Sequence, residues 1–134
     1  MAKISDIEGI GPKYPELLAT EGIKTVEGLL KAGAKQKDRK RIAEALQISD
    51  KLLLEWVNHA DLFRIKGVGE EYSDLLEEAG VDTVPELAQR NPENLVAKMA
   101  EINAEKEVVR RLPVLSQVEE WVKQAKELPR IIEY

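Results

Sequence analysis

The 134-residue chain contains no cysteine, a single histidine and only six aromatic residues. The absence of cysteine excludes disulfides, thiolate zinc sites and cysteine nucleophiles. A single histidine excludes a multi-histidine metal site, and we expect neither a metal nor another cofactor. Six aromatic side chains are too few for the stacking platforms of proteins that bind single strands through their bases.

Long apolar runs are also missing. No stretch approaches the roughly eighteen apolar residues of a membrane span, and the first residues lack the apolar core of a signal peptide. We therefore expect no membrane partner and a cytoplasmic location. The charge balance is acidic, with 20 Lys+Arg against 25 Asp+Glu and a net charge of −5. This balance excludes a generally basic protein that coats nucleic acid.

Catalysis has no visible basis in the sequence. A Ser-His-acid triad would have to use His59, and no nucleophile-elbow pattern surrounds any serine. No Walker loop is present, and the two Gly-x-Gly segments lack the third glycine and the preceding strand of a dinucleotide site. We expect a protein that is not an enzyme. His59 has no partner motif, so we expect it at the surface or half-buried.

An internal repeat is the strongest feature that the sequence does contain. The segment that starts at Gly9 recurs from Gly67, a shift of 58 residues, and Trp56-Val57 recurs as Trp121-Val122, a shift of 65. The second copy therefore carries seven extra residues between these two anchors. The pattern predicts a tandem duplication of one unit. Its parts are a first repeat over residues 1–61, a second over 62–128 and a C-terminal tail over 129–134.

Each copy has the pattern of short helices joined by turns, and no segment of useful length alternates with the period of a strand. We predict an all-α fold in which the two units pack as one compact helical domain. The predicted helix N-caps are Thr25, Ser49 and Asn91. Two capping boxes are also predicted, Thr83 with Glu86 and Ser116 with Glu119.

Each copy opens with two glycines that flank one apolar residue. Glycine adopts positive φ and allows another backbone to approach closely, and the apolar residue between the glycines can anchor the turn in the core. The amides at the start of the following helix favour an anion. In both copies the turn is followed by Tyr-x-x-Leu-Leu, so the sequence predicts the same hairpin twice.

These turns resemble those of the helix-hairpin-helix superfamily. The longer pattern, from about Ile4 to Leu128, is similar to an uncharacterised, mainly bacterial group of tandem helix-hairpin-helix proteins classed as a domain of unknown function. The resemblance implies hairpin amides that bind nucleic-acid backbone phosphate without sequence specificity. In some members of the superfamily, backbone carbonyls also hold a monovalent cation.

The resemblance implies phosphate binding for the first hairpin but not for the second. The phosphate-binding elements that it implies in the first hairpin are Gly9, Ile10, Gly11 and Lys13. In the second hairpin, Glu70 and Glu71 stand at the positions of Pro12 and Lys13. Two carboxylates suit the positive end of a helix dipole, but they repel phosphate. We therefore predict a structural role for the second turn, which comprises Gly67, Val68 and Gly69.

Charge is divided unevenly between the copies. Residues 1–61 are neutral overall, whereas residues 62–134 carry the whole net charge of −5. Basic residues cluster between Lys31 and Arg41, and helical spacing places Lys37, Lys40 and Arg41 on one face. The candidate nucleic-acid contacts from this cluster are Lys35, Lys37, Lys40 and Arg41. The same run also has a plain structural interpretation, as a solvated helix face.

Two hypotheses for function remain open at this point. The first is a non-catalytic module that contacts nucleic-acid backbone through the first hairpin, with duplex DNA as a weak, salt-dependent partner. The second is a protein-interaction or scaffold module that binds no nucleic acid and meets a protein partner through its acidic second repeat.

Overall fold

A computed structural model describes Ile4, Ile7, Ile10 and residues 13–133 of the chain. These described residues form eight α-helices and no strand, which confirms the predicted all-α fold. The chain divides into two compact units. Unit 1 comprises Met1–Asp61 and Ile131–Tyr134, and unit 2 comprises Leu62–Arg130.

The helices follow one another in the same order in both units. The helices of the first half are α1 (Tyr14–Ala19), α2 (Val26–Ala32), α3 (Gln36–Leu46) and α4 (Asp50–Leu62). Those of the second half are α5 (Glu70–Glu78), α6 (Val84–Ala88), α7 (Pro92–Lys106) and α8 (Leu115–Glu127). The last helices, α4 and α8, both have 13 residues. The extra length of the second half lies in α7, which has 15 residues against 11 in α3, and in the segment after it.

The first helix of each unit ends in the same backbone geometry. Gly22 follows α1 with a φ of 76°, and Gly80 follows α5 with a φ of 91°. The residue after each glycine donates its N–H to the carbonyl five residues earlier, at 3.1 Å in unit 1 and 2.8 Å in unit 2. This Schellman arrangement satisfies carbonyls at the helix end and turns the chain towards the next helix.

The three predicted N-caps are confirmed. Each side-chain oxygen accepts the backbone N–H three residues later at 3.0 Å, and the caps are Thr25, Ser49 and Asn91. Such bonds satisfy amides that the helix itself leaves without a partner, and each stabilises its helix by about 1 kcal/mol.

Both predicted capping boxes are wrong. Thr83 is the N-cap residue of α6, but its side chain makes no cap bond. The Glu86 carboxylate accepts the N–H of Asp82, one residue before the cap, at 3.4 Å. Helix α8 begins before Ser116, because the side chain of Gln117 accepts the N–H of Val114 at 2.9 Å. In both places a glutamate or glutamine side chain accepts a backbone N–H near the helix start, and no serine or threonine side chain caps the helix.

Each unit buries one tryptophan against a tyrosine of its first helix. Trp56 of α4 is 1% exposed and Trp121 of α8 is 2% exposed. Tyr14 tilts against Trp56 with ring centroids 4.9 Å apart and planes at 56°. Tyr72 makes the same contact with Trp121 at 5.2 Å and 52°. Tilted ring pairs of this kind are favourable, and both tryptophans lie in the core as their apolar stripes predict.

The last described residues belong to unit 1. Ile132 is buried, and the N–H of Glu133 donates to the carbonyl of Ala34 at 2.7 Å. Arg39 Nη2 donates to the Glu133 carbonyl at 2.6 Å. This segment, expected only as a tail, therefore closes the corner between α2 and α3.

Candidate nucleic-acid interface

The turn before α5 shows how this chain builds a Gly-x-Gly segment. Gly67 has a φ of 97°, and a Cβ there would lie 2.9 Å from Trp121 Nε1, so backbone and packing both require glycine. Val68 is buried, and its N–H donates to the carbonyl of Ile65 at 3.1 Å. Gly69 precedes α5 with extended backbone and open space around it. The turn is therefore fixed by its buried valine and by the indole of α8.

Gln124 of α8 holds the same turn through its side-chain amide. Its Oε1 accepts the N–H of Lys66 at 2.8 Å, and its Nε2 donates to the carbonyl of Lys66 at 3.2 Å. The matching position of α4, 65 residues earlier, is His59, which is 4% exposed. The prediction of a surface or half-buried His59 is wrong, because His59 follows Trp56 by three residues and so lies on the inward face of α4.

Carboxylates occupy the start of α5. Glu70 and Glu71 both lie in its first turn, where negative charge interacts favourably with the helix dipole. Glu71 also pairs with Arg110, with Oε1 and Nε 3.3 Å apart. Negative side chains therefore stand where a phosphate would have to approach the second turn.

The first hairpin is described only in part, since Gly9 and Gly11 lie outside the described residues. Ile10 is buried, and its N–H donates to the carbonyl of Ile7 at 3.3 Å. The corresponding bond in the second turn joins Val68 to Ile65. The Ile10 side chain therefore belongs to the core, and its N–H is already engaged by Ile7. Lys13 is exposed and directly precedes α1.

The outward face of α3 carries the other predicted contacts. Lys37, Lys40 and Arg41 are exposed, whereas Ile42, Ala43 and Leu46 of the same helix are buried. Lys35 is exposed directly before the helix. The expected shared face of Lys37, Lys40 and Arg41 is thus present, opposite the apolar stripe.

Two arginines of this basic cluster are already engaged. Arg39 is 5% exposed, and its Nη1 donates to the carbonyls of Gly33 and Ala34 at 2.7 and 3.1 Å. It is therefore a buried structural residue that joins α3 to the preceding corner. Arg41 Nη1 lies 2.9 Å from Glu21 Oε1. The Arg41 side chain is nevertheless mostly exposed, so that ion pair contributes little to stability.

Sequence reasoning missed Lys51. This residue lies with Lys40 on a shallow cleft of about 180 Å³ between α3 and α4, whose other lining residues are Gln36, Arg39, Asp50 and Leu54. The signal was the Ser49 cap, because it places Lys51 in the exposed first turn of α4 just after the short turn that follows α3. Lys51 extends the basic surface, while Asp50 reduces its net charge.

A cleft in unit 2 also has cationic walls, but its arginine is engaged. The cleft measures about 470 Å³ and its lining includes Arg90, Asn94 and Lys98. Arg90 Nη2 donates to the carbonyl of Gly80 at 2.9 Å, so this side chain supports the turn after α5.

The described part of the chain contains neither a cluster of metal-binding side chains nor a membrane-spanning helix. No group of three or more acidic or histidine side chains there is placed to hold a metal ion. Across residues 13–133 and the three described isoleucines, no helix combines the length and apolarity needed to span a bilayer.

A family model described as Domain of unknown function (DUF4332) matches residues 8–128. The chain belongs to this family. The DUF4332 match includes both Gly-x-Gly segments and the eight described helices. The resemblance to an uncharacterised family classed as a domain of unknown function is therefore confirmed, while the helix-hairpin-helix relationship stays a prediction. No curated protein and no solved structure matches the chain.

Proposed function

We propose that this DUF4332 protein is a non-catalytic module that binds nucleic-acid backbone without sequence specificity. The contacts are the first hairpin with Lys13 and the outward face of α3. Unit 2 repeats the helical unit but does not bind phosphate through its own turn.

The observation that carries the proposal is the way in which the cationic side chains of α3 are divided between its buried and exposed faces. Arg39 points inward to backbone carbonyls, whereas Lys37, Lys40 and Arg41 are exposed on the opposite side. Exposed cations gathered on one face are the footprint of proteins that bind the phosphate backbone. In a chain with net charge −5, such a face gives a contact on one side only.

In this proposal, side-chain charges attract the phosphates more strongly than the backbone amides of the hairpin do. Helix α1 has only six residues, so its dipole is small and its amides alone attract a phosphate weakly. Lys13 precedes α1, and Arg41 pairs with Glu21 just beyond its end. The two ends of α1 are about 9 Å apart, which matches the axial span of about three phosphates on one strand.

The alternative is a protein-interaction or scaffold module without nucleic-acid binding. It is favoured by the net charge of −5 on residues 62–134 and by the carboxylates at the start of α5. Under this alternative the lysines of α3 are a solvated face, and a protein partner contacts unit 2.

The test is binding to labelled duplex and single-stranded DNA by fluorescence anisotropy over a series of salt concentrations. We compare Lys37→Glu/Lys40→Glu with Lys123→Glu/Lys126→Glu, a matched pair of exposed lysines with the same spacing on α8. The α3 variant should bind at least about tenfold more weakly, with a salt slope reduced by about two ion releases. The α8 variant should bind like the natural protein.

A further variant tests the hairpin itself. Lys13→Glu should weaken binding, because it places negative charge next to the turn, as in unit 2. The proposal is lost if the natural protein binds neither DNA at low salt, if Lys13→Glu has no effect, or if the α3 and α8 variants lose affinity equally.

A further inference from the structure

Unit 2 contains a segment that has only a short counterpart in unit 1. Residues 107–114 join α7 to α8, whereas residues 47–49 join α3 to α4. We call residues 107–114 the insertion. It accounts for much of the extra length in the second copy.

The insertion is held in place at its centre by Asn103 of α7. The Asn103 side chain accepts the N–H of Val109 at 2.9 Å and donates to the carbonyl of Val109 at 3.2 Å. The Val109 side chain is buried in the core of unit 2. A bidentate amide bond and a buried apolar anchor together fix the backbone at this point.

Further contacts fix the second half of the insertion. The hydroxyl of Tyr72 donates to the carbonyl of Arg111 at 3.1 Å, and Arg110 pairs with Glu71 at 3.3 Å. Pro113 is buried, and Gln117 accepts the N–H of Val114 at 2.9 Å. The insertion is therefore an ordered part of the unit.

This ordered segment places apolar side chains in solvent. Val114 is 54% exposed, and Leu112 and Leu115 are each 38% exposed. They are the exposed large apolar residues of the described chain, and they lie within four consecutive positions. Scattered exposed apolar residues are ordinary, whereas these three, within four positions of a fixed segment, form a contiguous apolar surface.

Opposite charges stand at the two ends of this apolar group. Arg111 is exposed and directly precedes Leu112. Glu119 is exposed one turn beyond Leu115 and shares its face of α8, about 6 Å further along the helix. The surface thus has a positive charge at Arg111, the apolar group in the middle and a negative charge at Glu119.

We propose that this surface binds a second copy of the chain in a two-fold symmetric dimer. A two-fold axis through the apolar group pairs Val114 with its copy and reverses the direction of the surface. Arg111 of each copy then faces Glu119 of the other, so both charge contacts are attractive. A surface that is complementary to itself under a two-fold rotation specifies its own copy as the partner.

The small size of the apolar group sets the strength of this dimer. Three partly exposed side chains bury far less than the roughly 1,200 Å² of a standard stable interface. The dimer is therefore weak and forms at high protein concentration. It does not depend on the proposed nucleic-acid binding, whose residues lie in unit 1.

Sedimentation equilibrium over a wide concentration range tests the proposal. The natural protein should show a monomer–dimer equilibrium. Val114→Asp should weaken it at least about tenfold, because the substitution buries a charge at the centre of the interface. Ala45→Asp, which adds the same charge at an exposed position of α3 in unit 1, is the matched control and should dimerise like the natural protein.

Charge reversal tests the two-fold geometry directly. Arg111→Glu and Glu119→Arg should each weaken self-association about tenfold, since each creates two like-charge contacts per dimer. A mixture of the two variants should form a heterodimer within about threefold of the natural affinity, because both contacts become attractive again. Circular dichroism checks that each variant retains its helices.

Three results would overturn the proposal. One is a natural protein that stays monomeric at the highest concentration reached, which would assign the surface to a different protein. Another is a Val114→Asp variant that dimerises as well as the Ala45→Asp control. The third is a mixture of the two charge variants that associates no better than either variant alone.

Discussion

Unit 1 and unit 2 carry opposite charges at the start of their first helices. Exposed Lys13 precedes α1 in unit 1, whereas Glu70 and Glu71 begin α5 in unit 2. The buried residue of each turn donates its N–H to the carbonyl three residues earlier, at 3.3 Å in unit 1 and 3.1 Å in unit 2. The buried apolar residue thus makes the same backbone bond whether a lysine or two glutamates follow it.

The units also differ in what ties their helices together. Unit 1 uses a buried arginine, Arg39, and a segment from the far end of the chain. Unit 2 uses the amide of Gln124 on its turn and the amide of Asn103 on its insertion. Each unit also contains one of the two tryptophans, so the fluorescence of Trp56 reports unit 1 in a Trp121→Phe background. The converse background reports unit 2.

The largest expected effect contrasts two adjacent cations in unit 1. Arg39→Met removes the donors of three backbone carbonyls, and we expect it to lower the free energy of unfolding by about 4 kcal/mol. Lys40→Met changes an exposed side chain and should stay within about 0.5 kcal/mol. Urea unfolding followed by Trp56 fluorescence measures both. Equal costs for the two substitutions would contradict the inward assignment of Arg39.

The next effect concerns the two glycines of the second turn. Gly67→Ala should destabilise unit 2 by about 3 kcal/mol, because its positive φ and the approach of Trp121 both oppose a Cβ. Gly69→Ala meets open space with ordinary backbone and should cost less than about 1 kcal/mol. Unfolding followed by Trp121 fluorescence separates the two variants. A larger cost at Gly69 would mean that the turn is built differently.

A smaller effect tests how Gln124 holds that turn. Gln124→Ala loses both bonds to the backbone of Lys66, but water can replace them because Lys66 is exposed. We expect a loss of about 1 kcal/mol in the free energy of unfolding of unit 2. Gln124→Glu keeps the acceptor for the Lys66 N–H, so its free energy of unfolding should fall by less than that of Gln124→Ala. Hydrogen exchange at the Lys66 amide should accelerate in the alanine variant and much less in the glutamate variant.

The smallest effect is a dependence on pH in unit 2. A hydrogen bond to Glu78 at 2.6 Å, together with the charge of that carboxylate, raises the pKa of Lys106 above its ordinary value of 10.5. The stabilisation of the folded state by this ion pair is fully present below pH 10.5 and is lost as the pH rises through the raised pKa of Lys106. Both side chains are exposed, so the change is slight. An NMR titration of Lys106 should show the raised pKa, and Glu78→Gln should lower it.

Much of the fold could be predicted because the repeat doubles every local signal. The glycines after α1 and α5, the burial of the two tryptophans and the three N-caps all follow from short-range patterns in the sequence. The Thr83 box failed because Glu86 bonds one residue further upstream than the pattern assumes. The Ser116 box failed because α8 begins earlier, with Val114 as its N-cap and Gln117 as the residue that bonds back to it. The exact residue at which a helix starts depends on side-chain geometry, and the spacing of residue types in the sequence does not specify that geometry.

Two interior polar residues show where sequence reasoning was too coarse. Arg39 belongs to the basic run between Lys31 and Arg41, yet it precedes Ile42 and Ala43 by three and four positions and so lies on their face. His59 has the same relation to Trp56. The partners of Arg39 include the Glu133 carbonyl, which is 94 residues away. Contacts over such distances leave no periodic signal, so the docking of the last segment could not be predicted.

That docking has a consequence for the synthesis of the chain. Unit 1 contains the first 61 residues, yet Ile132 and Glu133 fill and bond its corner. A ribosome that has released α1 to α4 still has all of unit 2 to make before those contacts can form. Domains usually fold in the order in which they emerge. In this chain the unit that emerges first acquires its final contacts last, after unit 2 has had time to fold.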